Sequence, residues 1–166
     1  MSSLLVLRDG GGPSSGALLV DPGFLPDELE ALGRLAGERG EAITHLVLTH
    51  SHWDHVAGAC FFASRGRRPE VIASTSFPRC LAALEQPGDA AAVSGTSNSS
   101  RIASIDREAG VQRNPPYSAP RPDRLIGEET FLDGTPLRVL AIPAPGHTAD
   151  SLALLALSRA LGLTAT

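Results

Sequence analysis

The sequence of 166 residues contains few cysteines, few aromatic residues (4%) and no lysine. Cys60 and Cys80 are too few for a disulfide framework, so we expect buried, reduced thiols. A phosphate-binding glycine loop that ends in lysine is excluded, and no Gly-x-Ser-x-Gly run marks a serine hydrolase. Aliphatic side chains must therefore supply most of the core, and the chemistry must come from other residues.

A basic surface of the kind that binds nucleic acid is also lacking. The net charge is −4, and the short basic group at Arg65, Arg67 and Arg68 is typical of a solvated loop. No apolar run is long enough to cross a bilayer, and the first residues do not resemble a signal peptide. We expect one cytoplasmic domain over residues 1–166, without a nucleic-acid or membrane partner.

Apolar runs and turn signals predict alternating strands and helices, which is typical of layered folds that mix the two. The Asp133-Gly134 pair predicts a hairpin, so the sheet should be mixed. The predicted strands are Ser3–Leu7, Ala17–Val20, Ile43–Leu48, Val71–Ala73, Arg124–Ile126, Thr130–Leu132, Leu137–Ile142 and Ser151–Leu157. The predicted helices are Pro26–Glu38, Val56–Ala63 and Ser76–Leu84.

Residues 86–119 break this pattern, because small and polar side chains dominate there. The composition predicts a flexible loop. The alternative is a mobile cover over a site, which stays open because the only tyrosine, Tyr117, lies in this segment.

Four residues of metal-binding type follow the apolar strand Ile43–Leu48 within six positions: His50, His52, Asp54 and His55. In an extended chain His50 and His52 point to the same side, so both can bind one metal. Asp54 and His55 lie where the chain turns into the next helix and can serve a second position. Imidazole and carboxylate together suit zinc, and less exclusively iron or manganese.

His147, in a loop after another predicted strand, can complete a site of three histidines. Such a site leaves a position for water, and zinc lowers the pKa of that water to about 7. Hydroxide then forms near neutrality and can attack a carbonyl or phosphoryl centre. Asp54 is the candidate catalytic residue, which would orient the hydroxide or accept its proton.

Three further residues have two interpretations each. His45, inside a predicted strand, is either a hydrogen-bonded structural histidine, which we favour, or a partner that orients a ligand. Asp21 either caps a turn or holds a ligand histidine. Cys60 lies close to His55 in sequence, so it could have a role near the metal, but a buried thiol is the simpler interpretation.

The run from Thr49 to His55 resembles the signature of the metallo-β-lactamase superfamily. The similarity extends to Val20–Gly23, Ile43–Gly58 and Pro122–Leu155, and so covers most of the chain outside 86–119. The resemblance implies an α+β fold, the four-layered αββα sandwich built from two similar halves.

The resemblance also assigns ligands. His50, His52 and His147 would hold a first metal, and Asp54 and His55 would contribute to a second. The redox di-iron branch of the superfamily typically has glutamate at the position of His52, so hydrolysis is favoured over electron transfer.

The sequence departs from the family after His147. Members continue to an aspartate that bridges both metals, whereas residues 151–166 contain no Asp, Glu or His. We therefore expect a C-terminally incomplete sandwich, the first half plus part of the second. Such a chain would bind one zinc more firmly than two and could self-associate through an uncovered sheet.

These observations predict a zinc-dependent hydrolase in which metal-bound hydroxide attacks an ester, thioester, lactone or similar bond of a small molecule. The alternative is a truncated, catalytically inactive metal-binding remnant or interaction module. A metal-free binding protein is a third and weaker hypothesis.

Overall fold

The computed structural model describes residues 3–7, 16–64, 66–86 and 96–157. Within these ranges no helix is long and apolar enough to span a membrane. The strands are β1 (Leu4–Val6), β2 (Ala17–Val20), β3 (Ile43–Val47), β4 (Glu70–Ser74), β5 (Arg124–Ile126), β6 (Thr130–Leu132), β7 (Arg138–Pro143) and β8 (Leu152–Leu157). The helices are α1 (Pro26–Glu38), α2 (Trp53–Val56), α3 (Ala59–Ala63), α4 (Phe77–Glu85) and α5 (Asn98–Glu108).

The first sheet contains five strands in the order β1-β2-β3-β4-β5. Only β1 is antiparallel to its neighbour, and the other pairs are parallel. All four residues of β2 are buried, which explains why Ala17–Val20 is apolar throughout instead of alternating. Because β3 and β4 are parallel, their carboxyl ends lie at the same edge of the sheet, where the ligand loop begins.

The second sheet contains β6, β7 and β8, all antiparallel. β6 and β7 are joined by the predicted Asp133-Gly134 turn, in which Gly134 has φ +73°. A residue with a Cβ would be strained in that left-handed conformation. The prediction of a hairpin is confirmed, although it joins strands of a separate sheet.

The two sheets pack face to face, and helices cover the other face of the first sheet. The helix side of the core includes Leu29 of α1, Phe61 of α3 and Phe77 of α4. The expected α+β sandwich is thus confirmed, with three consecutive layers of helices, sheet and sheet in the described ranges. The core between the sheets consists of Leu18, Val20, Val47, Ile72, Ile126, Leu132, Val139, Ala141 and Leu152.

The outer face of the second sheet carries apolar side chains across all three strands. Phe131 pairs with Leu140, and Leu140 pairs with Leu155. Phe131 is 37% and Leu155 49% exposed. The Arg138 guanidinium covers the Phe131 ring at 4.0 Å from its centroid. This face therefore has no covering layer within the part of the chain that the structure describes.

The predicted helix Val56–Ala63 is wrong in its bounds, since the chain forms the two short helices α2 and α3. The break lies at Gly58, where a Cβ would stand 2.6 Å from the carbonyl oxygen of Gly23. The backbone of the helix pair thus packs against the turn that follows β2. This close contact was not visible in the local sequence.

The predicted loop over 86–119 is wrong for Asn98–Glu108, which form α5. The Ser97 hydroxyl caps this helix by accepting a hydrogen bond from the Ser100 amide at 3.2 Å. Ile102 is buried and anchors the helix in a small cluster with Phe24 and Ala57. The rest of the helix is polar, which hid its amphipathic pattern. Residues 87–95 lie outside the described ranges.

Candidate metal centre

The ligand loop begins at the end of β3, and both sheets hold its first residues. Leu48 donates its amide to the Ile72 carbonyl at 2.9 Å, which fixes the loop to β4. Leu152, at the start of β8, donates its amide to the Thr49 carbonyl at 2.8 Å. The loop before β8, which carries His147, is thereby brought beside the loop after β3.

His50, His52 and His147 form one cluster, in which one ring nitrogen of each lies within 4.8 Å of the others. The closest approach is 3.2 Å, between His147 Nε2 and His52 Nδ1. The ring planes cross at 74° for His50 and His52, 82° for His50 and His147, and 86° for His52 and His147. The three rings therefore converge edge-on instead of stacking, and each can aim a lone pair at one point.

The environment keeps two of these imidazoles neutral. Burial, together with the neighbouring His55 and His52, lowers the pKa of His50 to about 4. Burial and the nearby His147 also lower the pKa of His52. At neutral pH both rings offer a free lone pair, which metal binding requires.

Asp21 lies behind the ligand loop and is buried, with a left-handed backbone at φ 48°. Its carboxylate accepts hydrogen bonds from the Thr49 amide at 2.9 Å and the Thr49 hydroxyl at 2.7 Å. Because that hydroxyl gives its only proton to Asp21, its oxygen accepts at 3.0 Å from Nδ1 of His50. This arrangement selects the tautomer of His50 in which Nε2 carries the lone pair.

His55 and Asp54 lie beside the three-histidine cluster, in the first turn of α2. The His55 ring centroid is 4.0 Å from that of His50, and its Nε2 is 3.6 Å from Asp54 Oδ2. Burial alone would lower the pKa of His55, but the hydrogen bond and charge of Asp21 raise it above its ordinary value. These two side chains form a second group that could contact a metal next to the first.

Asp150, three positions after His147, is a buried carboxylate with 0% exposure. Its side chain interacts with the Cys80 thiol of α4. Burial and the charge of this carboxylate raise the pKa of Cys80. The same charge opposes the lowering of the pKa of His52. Asp150 is thus a buried acidic side chain close enough to the histidine cluster to act on His52.

A sequence model of the metallo-β-lactamase superfamily matches residues 2–159 of this chain. The chain belongs to the metallo-β-lactamase superfamily. The match includes all three histidines of the cluster, so it covers both the run Thr49–His55 and the later loop that carries His147. A comparison with curated proteins gave no match.

Solved metallo-β-lactamases share the fold. A motif mutant of the enzyme from Cronobacter sakazakii has a TM-score of 0.59 at 19% identity, over 92% of this chain and 51% of that one. BJP-1, a subclass B3 metallo-β-lactamase of Bradyrhizobium japonicum, has a TM-score of 0.60 at 16% identity, over 93% and 49%. GOB-18 from Elizabethkingia meningoseptica gives 0.59 at 17% identity, over 93% and 48%. This chain therefore spans about half the length of these structures.

The residues present fit a metal ion of the kind that this superfamily binds. His50 Nε2 is buried and has no hydrogen-bond partner among the described residues, an arrangement that leaves its lone pair for a metal. His52 Nδ1 and His147 Nε2 lie too close together for both to carry a proton without repulsion. All three nitrogens thus have the donor chemistry that zinc prefers. The ligand assignments themselves remain predictions.

Asp21 does more than cap a turn, which resolves the two interpretations left open by the sequence. Its Oδ2 lies 2.8 Å from His55 Nδ1, so it holds one of the predicted ligands. His45 lies apart from the cluster, with Nδ1 2.8 Å from Thr44 Oγ1. Cys60 is a free thiol whose Sγ approaches the Ala57 carbonyl at 3.8 Å. The structural interpretation of His45 agrees with these contacts. Cys60 and Cys80 are free thiols as expected, but both are only partly buried, so the prediction of buried thiols is wrong.

Sequence reasoning missed three residues around the site. Thr49 was read only as part of the run, although its hydroxyl links Asp21 to His50. Asn98 was assigned to a loop, although its side chain bonds the Ser51 carbonyl. Asp150 was not singled out, because no local pattern reveals its burial. The capping serine before Asn98, followed by a buried isoleucine, was the one signal available for α5.

Proposed function

We propose that this chain is a zinc-dependent hydrolase that cleaves an ester, thioester, lactone or similar bond of a small molecule. The convergence of His50, His52 and His147 within 4.8 Å carries the proposal. Two of these histidines come from the loop after β3 and the third from the loop before β8. Three imidazole nitrogens from two loops are typical of a catalytic zinc site that keeps an open position.

The chemistry follows from this ligand set. Zinc with three nitrogen ligands supplies an acidified water and polarises a carbonyl oxygen. Thr49 holds His50 in the tautomer that binds metal, and Asp21 holds Thr49. The Asp54 carboxylate, whose side chain is 30% exposed and whose Oδ2 is 3.6 Å from His55 Nε2, would accept a proton.

The exposure of the three histidines indicates which side of the site is open to solvent. His50 is buried at its base, His52 is half-buried and His147 is exposed. A small substrate would therefore approach from the side of His147 and meet the metal from above His50. The net charge of −4 gives no reason to expect a nucleic-acid substrate.

One zinc per chain is the expected stoichiometry. Among the described residues only Asp54 and His55 lie where they could bind a second ion. The Nδ1 of His55 is already hydrogen-bonded to Asp21, so only its Nε2 is left for a metal. Two ligands hold a divalent ion weakly, so a second zinc should bind only in excess metal. Zinc content at micromolar and millimolar added zinc would separate the two positions.

The test is metal analysis by mass spectrometry on protein purified without chelator, followed by a hydrolysis panel. The panel contains an ester, a thioester, a lactone and, because the solved relatives are named metallo-β-lactamases, a β-lactam. We expect about one zinc per chain, and hydrolysis that His52→Ala abolishes. The matched control is His45→Gln, which removes a histidine outside the cluster and should leave both zinc and activity unchanged.

The alternative is a metal-binding module without turnover. It is favoured by the incomplete ligand set for a second ion and by the uncovered outer face of the second sheet. A chain that binds one zinc but fails on the whole panel would support it. A chain without zinc, not restored by added zinc, would contradict both hypotheses.

A further inference from the structure

The side chain of Asn98, at the first position of α5, makes a buried hydrogen bond to the ligand loop. Its Nδ2 donates to the Ser51 carbonyl at 2.8 Å, and the bond joins residues 47 positions apart. Asn98 is 4% exposed and Ser51 is fully buried. Ser51 stands between His50 and His52, so this bond fixes the peptide that links two predicted ligands.

The amide of Asn98 is itself held in place. It interacts with the hydroxyl of Tyr117, which donates to Glu85 Oε1 at 2.7 Å. Ser99 donates from its amide to the other carboxylate oxygen of Glu85 at 3.3 Å. The amino end of α5 is thus tied to α4 and to the segment after α5, and these contacts hold Asn98 in a fixed position.

The same helix also contacts the loop farther along. Ile102 packs with Ala57, just after α2, in the cluster that includes Phe24. The Arg101 guanidinium lies 5.6 Å from the centroid of the Trp53 ring. Together with the Asn98 bond, these contacts tie α5 to the loop between Ser51 and Ala57.

We propose that Asn98 is a positioning residue for the metal centre, which sets the loop so that His50 and His52 converge before metal binds. The inference rests on the proposed metal site. Thr49 fixes the first ligand through the His50 ring, and Asn98 fixes the following peptide through the Ser51 carbonyl. Without the Asn98 donor the Ser51 carbonyl would be buried and unpaired, and the loop would shift to regain a partner. Partners of this kind around a metal site typically change affinity by about 10–100-fold.

The experiment uses the full chain with Asn98→Ala and Asn98→Asp, the latter being close in size and lacking the donor. Zinc affinity is measured by competition with a chromogenic chelator, and geometry by the visible absorption of the Co²⁺-loaded protein. We expect affinity to fall by about 10–100-fold and the Co²⁺ bands to shift or weaken. Ser104→Ala, which removes a surface hydrogen bond to Glu108 in the same helix, is the matched control.

Ile102→Ala separates positioning from simple loosening of α5, because it weakens the helix without touching the Ser51 carbonyl. At an equal loss of thermal stability, the Asn98 variants should lose more zinc affinity than Ile102→Ala. A folded Asn98→Asp protein with unchanged affinity and spectrum would overturn the positioning role and leave the metal site standing. A wild-type chain that binds neither zinc nor Co²⁺ would instead overturn the proposed function, and the positioning role with it.

Discussion

Asp21 Oδ2 and His55 Nδ1 lie 2.8 Å apart, which joins the turn after β2 to the first helix of the ligand loop. Asp21 also accepts from the amide and hydroxyl of Thr49. One buried carboxylate therefore sets the position of the loop and the protonation of the side chains on it.

Asp21→Asn should lower the pKa of His55. In the wild-type protein the hydrogen bond and charge of Asp21 outweigh burial and raise this pKa. With a neutral amide in its place burial should bring the pKa down from its raised value, with Asp54 still opposing it. Asparagine also tolerates the left-handed backbone of this position, so the fold should survive. The measurement is an NMR titration of the histidine rings in metal-free protein.

The same change should alter the dependence of stability on pH. Because its folded pKa is raised, His55 contributes stability that is fully present below pH 6.5 and is lost as the pH rises through that raised value. In Asp21→Asn this contribution should shrink, so the variant should be more destabilised at pH 6 than at pH 8. Asp27→Asn, a carboxylate in the first turn of α1, is the control.

Thr49→Val should weaken metal binding more than it weakens the fold. Valine keeps the shape of threonine but can neither donate to Asp21 nor accept from His50 Nδ1, so the tautomer of His50 is no longer selected. We expect a loss of zinc affinity of roughly 10-fold or more, measured by chelator competition. Thr49→Ser keeps the hydroxyl and should restore most of the affinity. Equal affinities for Val and Ser would argue against the hydroxyl link.

His50→Asn should reduce the acid sensitivity of the metal-free protein. The folded pKa of His50 is about 4 against 6.5 in the unfolded chain. Between these two pKa values His50 is protonated in the unfolded chain but not in the folded chain, so the free energy of unfolding falls as the pH falls. The contribution of this residue is at most about 3 kcal/mol. Urea unfolding at pH 4.5 and pH 7 in the presence of chelator measures the effect. A pH dependence that is identical in the variant would contradict the assignment.

Gly58→Ala and Gly33→Ala should have opposite effects on stability. A Cβ at Gly58 would lie 2.6 Å from both the Gly23 carbonyl oxygen and Leu29 Cδ2, whereas nothing lies within 4 Å of one at Gly33. We expect Gly58→Ala to lower the free energy of unfolding by about 1–3 kcal/mol. Gly33→Ala, inside α1, should raise it by about 0.5–1 kcal/mol. Urea unfolding of metal-free protein compares the two.

The succession of strands along the chain and the bounds of α1 could be predicted because their signals are local. Pro26 begins α1, and Gly40, with φ +71°, follows its end. The clustering of His50, His52, Asp54 and His55 was likewise visible as composition. What could not be predicted was the division of the strands into two sheets, because antiparallel hairpins and parallel crossovers leave similar apolar runs.

The elements that support the site were harder to predict, because their roles depend on contacts between distant segments. Asn98 is an ordinary polar residue in a serine-rich stretch until α5 places it against Ser51. Gly58 marks a helix break only because the Gly23 carbonyl lies against it. Asp150 gives no sequence signal for a fully buried carboxylate, since burial is decided by β8 and α4 together.

His52 and His147 are separated by 95 positions along the chain, yet their ring nitrogens are 3.2 Å apart. Closing so long a loop carries an entropic cost, and such non-local contacts form after local ones during folding. Neither half of the cluster can chelate metal strongly before both sheets have docked. Zinc uptake by a refolding chain should therefore lag behind the recovery of helical circular dichroism, so that metal binding would report the last step of folding.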